Sequence, residues 1–111
     1  MMKNFISTQS WSRSQLQDIL DFATSLKENP YQPLLKNKSV AMLFFNPSLR
    51  TKTSFEIGIS ELQGTAVILK PGKDAWPIEF KDHIEMNGDA EEHVKEVARV
   101  LYSYCDCIAI R

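Results

Sequence analysis

Two short and almost wholly apolar runs, Ser39 to Phe45 and Thr65 to Leu69, flank a helix-length segment that carries Phe55, Ile59 and Leu62 at i, i+4 and i+7. A strand this continuously apolar is covered on both faces, the condition of a parallel sheet rather than of a half-solvated antiparallel one. A strand, helix and strand so closely spaced in one sheet imply a right-handed parallel crossover. Asn46-Pro47-Ser48 breaks the first strand, the helix is expected from about Thr51 to Gln63, and Gly64 stands where a helix C-terminal glycine belongs.

The flanking segments supply the other layers. Ser12 to Asn29 reads as a first helix, with Ser12 and Gln15 spaced as a capping box and Trp11 and Leu16 as a hydrophobic staple. Leu16, Ile19, Leu20, Ala23 and Leu26 recur at helical spacing and are expected to form one buried stripe, ended at Asn29-Pro30. Lys70 to Gly88 has no sustained period, yet its Trp76, Ile78 and Phe80 set it apart from a disordered linker. A third helix is expected with Asp89 as its cap, Glu92 at the capping-box position, and Val94, Val97, Ala98 and Leu101 on its apolar face. Cys105 to Ile110 reads as a third strand. The expected fold is α/β, an open parallel sheet with helices on both faces, as a single domain over residues 1–111. In such sheets ligands gather at the carboxyl ends of the strands, here the turn after Phe45 and Arg111.

Charge narrows the ligand. With 13 Lys plus Arg against 14 Asp plus Glu the net charge is -1, so no global field favours nucleic acid or an anionic membrane, and any anion site must be local. No apolar run approaches the roughly 20 residues of a spanning helix. Met1 to Trp11 lacks the basic start, apolar stretch and cleavage site of a secretory signal, which makes the cytoplasm the default location. Cys105 and Cys107, spaced i, i+2 in an extended run, project to one face with poor geometry for a mutual disulfide and read as reduced thiols. The cysteines and His83 and His93 lack metal-ligand spacing, so no metal is expected.

Ser48-Leu49-Arg50-Thr51 lies between a buried strand and a helix start, where unpaired N–H groups and the helix dipole favour an anion. The Ser48 and Thr51 hydroxyls add donors, Arg50 offers a planar fork suited to phosphate, and Lys52 adds charge. The same residues also suit ordinary capping, since Ser and Thr are common caps and Thr53-x-x-Glu56 is itself a capping box. Spacing leaves both readings open. Neither a Walker loop nor a G-x-G-x-x-G follows a strand, so no glycine-rich loop holds the anion. Glu79, Asp82, Glu85, Asp89, Glu91 and Glu92 read as a solvated acidic stretch, and neither histidine has a sequence partner that gives it a role.

The run Phe44-Phe45-Asn46-Pro47-Ser48-Leu49-Arg50-Thr51-Lys52-Thr53-Ser54-Phe55-Glu56 closely resembles the carbamoyl-phosphate signature S-x-R-T-R of the aspartate and ornithine carbamoyltransferases, with Lys52 in place of the usual Arg. Glu96 to Leu101 resembles the family's D-T-A-R-V-L helix, and Ile108-Ala109-Ile110-Arg111 the strand whose final Arg contacts carbamoyl phosphate. Leu49, where the family generally has Thr, and the segment Lys70 to Phe80 resemble the N-acetylornithine branch.

The resemblance implies carbamoyl phosphate as ligand, bound by Ser48, Leu49, Arg50, Thr51 and Arg111, with Arg50, Thr51 and Arg111 in catalytic roles and no cofactor. It also implies a homotrimer in which Trp76 reaches a neighbour's site, although by itself such an aromatic reads as packing. The implied reaction is attack of an uncharged amine on the carbamoyl carbon with loss of phosphate, a step that gains most from fixed positive charge. Family members continue into a His-Pro-x-Gln segment and a second, amino-acid-binding domain, both absent from residues 1–111, so this chain alone is expected to be inactive. Two alternatives remain: an ornithine carbamoyltransferase domain, and a non-catalytic module for anion binding or association.

Overall fold

The structure, a computed structural model, describes residues 4–86, 90 and 92–111. The chain falls into two compact units, Met1–Tyr31 and Gln32–Arg111.

The first unit holds α1, Arg13–Glu28. Its capping box forms as the sequence predicts: the Gln15 amide donates to Ser12 Oγ at 3.2 Å and the Ser12 amide to Gln15 Oε1 at 3.0 Å. Asn29 closes the helix, its amide on the Ser25 carbonyl. The Trp11 ring lies 5.3 Å from that of Phe5. The expected buried stripe is not buried. Leu16 and Leu26 are half-buried, while Ile19, Leu20 and Ala23 are exposed. Helical spacing says which side of a helix is apolar and carries nothing about what covers it.

The second unit contains β1 (Ser39–Leu43), α2 (Arg50–Glu61), β2 (Thr65–Leu69), β3 (Ile78–Glu79), β4 (Glu92–His93), α3 (Val94–Tyr104) and β5 (Cys107–Ile110). The order β2-β1-β5 is parallel throughout, with Ser39 beside Thr65 and Val40 beside Cys107. The central strand is the expected two-faced one. Strand alternation sends Val40, Met42 and Phe44 to one face with Ile59 of α2, and Ala41 and Leu43 to the other with Leu101 of α3. Helices therefore cover both faces.

Three boundaries differ from expectation. α2 ends in a left-handed residue, but that residue is Gln63 (φ 65°) and not Gly64. The Gln63 amide donates to the Ser60 carbonyl at 3.0 Å and the Gly64 amide to Ile59 at 2.8 Å, the paired bonds of a Schellman motif. Gly64 is required by space instead, since a Cβ there would stand 2.8 Å from Leu35 Cβ. The third helix starts at Val94 with His93 as its cap, and Glu92 lies in β4 rather than inside a capping box. Asp89, the expected cap, lies outside the described residues. Cys105 caps the end of α3 and packs with Leu101, while Cys107 is exposed on β5, so the two free thiols do not share a face.

The segment after β2 is more ordered than its lack of period suggests. Pro71 bridges Ala75 around Gly72 (φ 81°), the Lys70 amide donates to Asp74 Oδ1, and β3 pairs with β4 in parallel. Two-residue strands lie below any window in which alternation is detectable.

Candidate anion site

Backbone pairing at the carboxyl end of the sheet builds the site. The Arg111 amide donates to Leu43 at 2.9 Å and the Phe45 amide to Arg111 at 2.8 Å, extending the ladder just beyond both strands. Arg111 therefore stands beside the turn that leads into α2. Its Nη1 donates to Ser48 Oγ at 3.1 Å and to Thr51 Oγ1. Two hydroxyls and one guanidinium, about 60 residues apart in sequence, thus meet at one helix start.

Ordinary capping does not account for this turn. Leu49 occupies the cap position in helical conformation with no side-chain cap hydrogen bond, and Thr53 lies inside the helix, its amide on the Leu49 carbonyl. Among the described residues the first-turn amides of α2 consequently have no side-chain acceptor, which leaves the positive end of the dipole available to a ligand. Arg50 is exposed and makes no ion pair among the described residues. Lys52 reaches Glu56 one turn along at 3.4 Å. Leu49 is 78% exposed, so it contributes no packing that would explain its position.

Trp76 is placed elsewhere. A small concavity of about 50 Å³ is lined by Thr51, Phe55, Arg111 and the α2-side residues Met42 and Phe44. Trp76 lines a larger one of about 440 Å³ with Leu43, Val97 and Leu101, on the α3 side of the sheet. The structure brings together Ser48, Thr51 and Arg111, keeps Leu49 and Arg50 on the same turn, and separates Trp76 from them within one chain.

Glu79 and Asp82 of the acidic stretch have hydrogen-bond partners. The Lys81 and Phe80 amides donate to Glu79, holding its carboxyl below the ordinary value. The Lys95 ammonium does the same for Asp82. At the opposite end of the sheet the Ser39 amide and Lys38 lower Asp106. His93 is the residue that sequence reasoning missed. Histidine is not a favoured cap, so its position just before Val94 gave no signal. Among the described residues no group of three or more His, Cys, Asp or Glu could hold a metal, and no helix is long and apolar enough to cross a membrane.

Residues 3–111 match the family described as aspartate/ornithine carbamoyltransferase, carbamoyl-P binding domain. The chain is 54% identical over 110 residues to the N-acetylornithine carbamoyltransferase of Xanthomonas campestris, covering 99% of this chain and 32% of that one. The ornithine carbamoyltransferase of Listeria monocytogenes is 33% identical, with 98% and 31% covered. Among solved structures, an acetylornithine transcarbamylase complexed with acetylcitrulline superposes with a TM-score of 0.95 at 55% identity, over 99% of this chain and 33% of that one. An N-acetyl-L-ornithine transcarbamylase variant complexed with carbamyl phosphate and N-succinyl-L-norvaline gives 0.96 at 54%, with the same coverage. The chain spans about a third of the length of the relatives it matches.

Proposed function

The chain belongs to the aspartate/ornithine carbamoyltransferase family, carbamoyl-phosphate-binding domain, and from that premise we propose that residues 1–111 are the carbamoyl-phosphate-binding domain of an enzyme that carbamoylates the side-chain amine of N-acetylornithine in arginine biosynthesis. The observation that carries the reading is the Arg111 guanidinium donating to Ser48 and Thr51 at an uncapped helix start. Carbamoyl phosphate brings a dianionic phosphate and a carbamoyl oxygen that gains charge during attack. The α2 amides with Ser48 and Thr51 bind the phosphate, Arg50 neutralises charge on the leaving group, and Thr51 and Arg111 polarise the carbamoyl oxygen. The amine nitrogen bonds to the carbamoyl carbon, the carbon–oxygen bond to phosphate breaks with its electron pair leaving on phosphate, and the proton lost by the amine passes to that departing phosphate.

Greater identity to the N-acetylornithine enzyme than to the ornithine enzyme supports the acceptor. The acceptor site belongs to the remaining two-thirds of the relatives' length, so residues 1–111 alone do not turn over. The enzyme is cytoplasmic and a homotrimer, Trp76 entering a neighbour's site. The separation of Trp76 from Arg111 on opposite sides of the sheet supports this arrangement. Calorimetric titration of carbamoyl phosphate tests the site. Arg50→Ala is expected to lose about 1.5–3 kcal/mol of binding, the range for hydrogen bonds to charged groups. Absence of binding by the folded wild type would overturn the reading.

A further inference from the structure

His93 makes two hydrogen bonds that fix its protonation. Nε2 lies 3.0 Å from the Lys81 carbonyl oxygen, which only accepts, so Nε2 carries a proton. The Lys95 amide donates to Nδ1 at 3.2 Å, so Nδ1 is bare. The ring is therefore a neutral Nε2–H imidazole that caps α3 with one nitrogen and tethers the preceding segment with the other. The tethered segment leads back to the anion site. Phe80, next to Lys81, packs edge-on against Phe45 with ring centroids 5.5 Å apart, and Phe45 opens the turn that carries Ser48 to Thr51.

We infer that His93 is a positioning residue: its neutral Nε2–H tautomer latches the strap Ile78–Lys81 to α3 and so holds Phe80 against Phe45 at the entrance to the anion-binding turn. Protonation of Nδ1 sets an N–H against the Lys95 amide and cancels the cap. Glu79 on the strap and Asp82 just after it are the carboxylates near the ring, and Glu92 precedes it on β4. The Lys95–Asp82 ion pair, exposed at both ends, is a second tie between α3 and the residue just after the strap.

The consequence for the anion-binding turn rests on the proposed function, whereas the latch is read without ligand. Hydrogen exchange on the strap, with β1 as internal reference, compares wild type with two variants. His93→Gln keeps a donor at the reach of Nε2, and His93→Asn keeps a cap acceptor but loses the tether. His93→Asn is expected to raise strap exchange about five- to tenfold, the loss of one hydrogen bond, and His93→Gln to restore protection. Nitrogen shifts of the wild-type ring must report the Nε2–H tautomer, so the inference stays testable if a variant fails to fold. An Nδ1–H ring, or equal strap protection in all three proteins, overturns it. Carbamoyl phosphate titration separates the readings: a working latch with no binding sinks the proposed function alone.

Discussion

Gln63 and Gly64 divide a task that sequence spacing assigns to one glycine. Gln63 adopts the left-handed conformation, and Gly64 makes room for Leu35. Gln63→Gly is therefore expected to stabilise the fold by about 1 kcal/mol, the cost of a left-handed Cβ. Gly64→Ala is expected to destabilise it by about 1–3 kcal/mol through overpacking. Thermal unfolding of the two variants checks both signs at adjacent positions. Asp106 supplies a pH effect at the same scale. Held below its ordinary value first by the Ser39 amide and then by Lys38, it stabilises the fold above an unfolded value of about 3.9 and loses that contribution as pH falls through the lower folded value. Asp106→Asn should lower the melting temperature at neutral pH, and the gap to wild type should close on acidification. A constant gap would mean that the carboxylate's charge is not what holds Ser39.

Elements are selected by pattern and positioned by pairing. The central strand was legible because five consecutive positions from Ser39 can all be covered, and β1 is covered on both sides. Met42 is 1% exposed against α2, so Met42→Ala is expected to cost about 2–5 kcal/mol. Chemical denaturation should report that loss as a lower midpoint with an unchanged slope. The strap was not legible. β3 and β4 are two residues each and take their order from the ladder Ile78 to Glu92 and from the His93 tether. Long-range pairing of this kind leaves no local period in the chain.

In the whole molecule the proposed assembly makes Trp76 decisive, since it is 57% exposed and faces a different concavity from Arg111. Light scattering is expected to give a trimer. Trp76→Ala is expected to leave that mass in place while weakening carbamoyl phosphate binding, and a monomeric wild type would remove the Trp76 reading. The first unit shows the opposite limit of sequence reasoning. Its capping box formed as written because both partners lie three residues apart, whereas the stripe of Ile19, Leu20 and Ala23 is apolar without being buried. By itself the sequence determined the parallel crossover, the Ser12–Gln15 capping box and the hydroxyl-rich turn at Ser48, since each depends on residues within a few positions of one another. Only the tertiary structure decided that Arg111 meets Ser48 and Thr51, that Trp76 does not, and that His93 reaches the Lys81 carbonyl. These contacts depend on ladder register and on packing between distant segments, which no local pattern encodes.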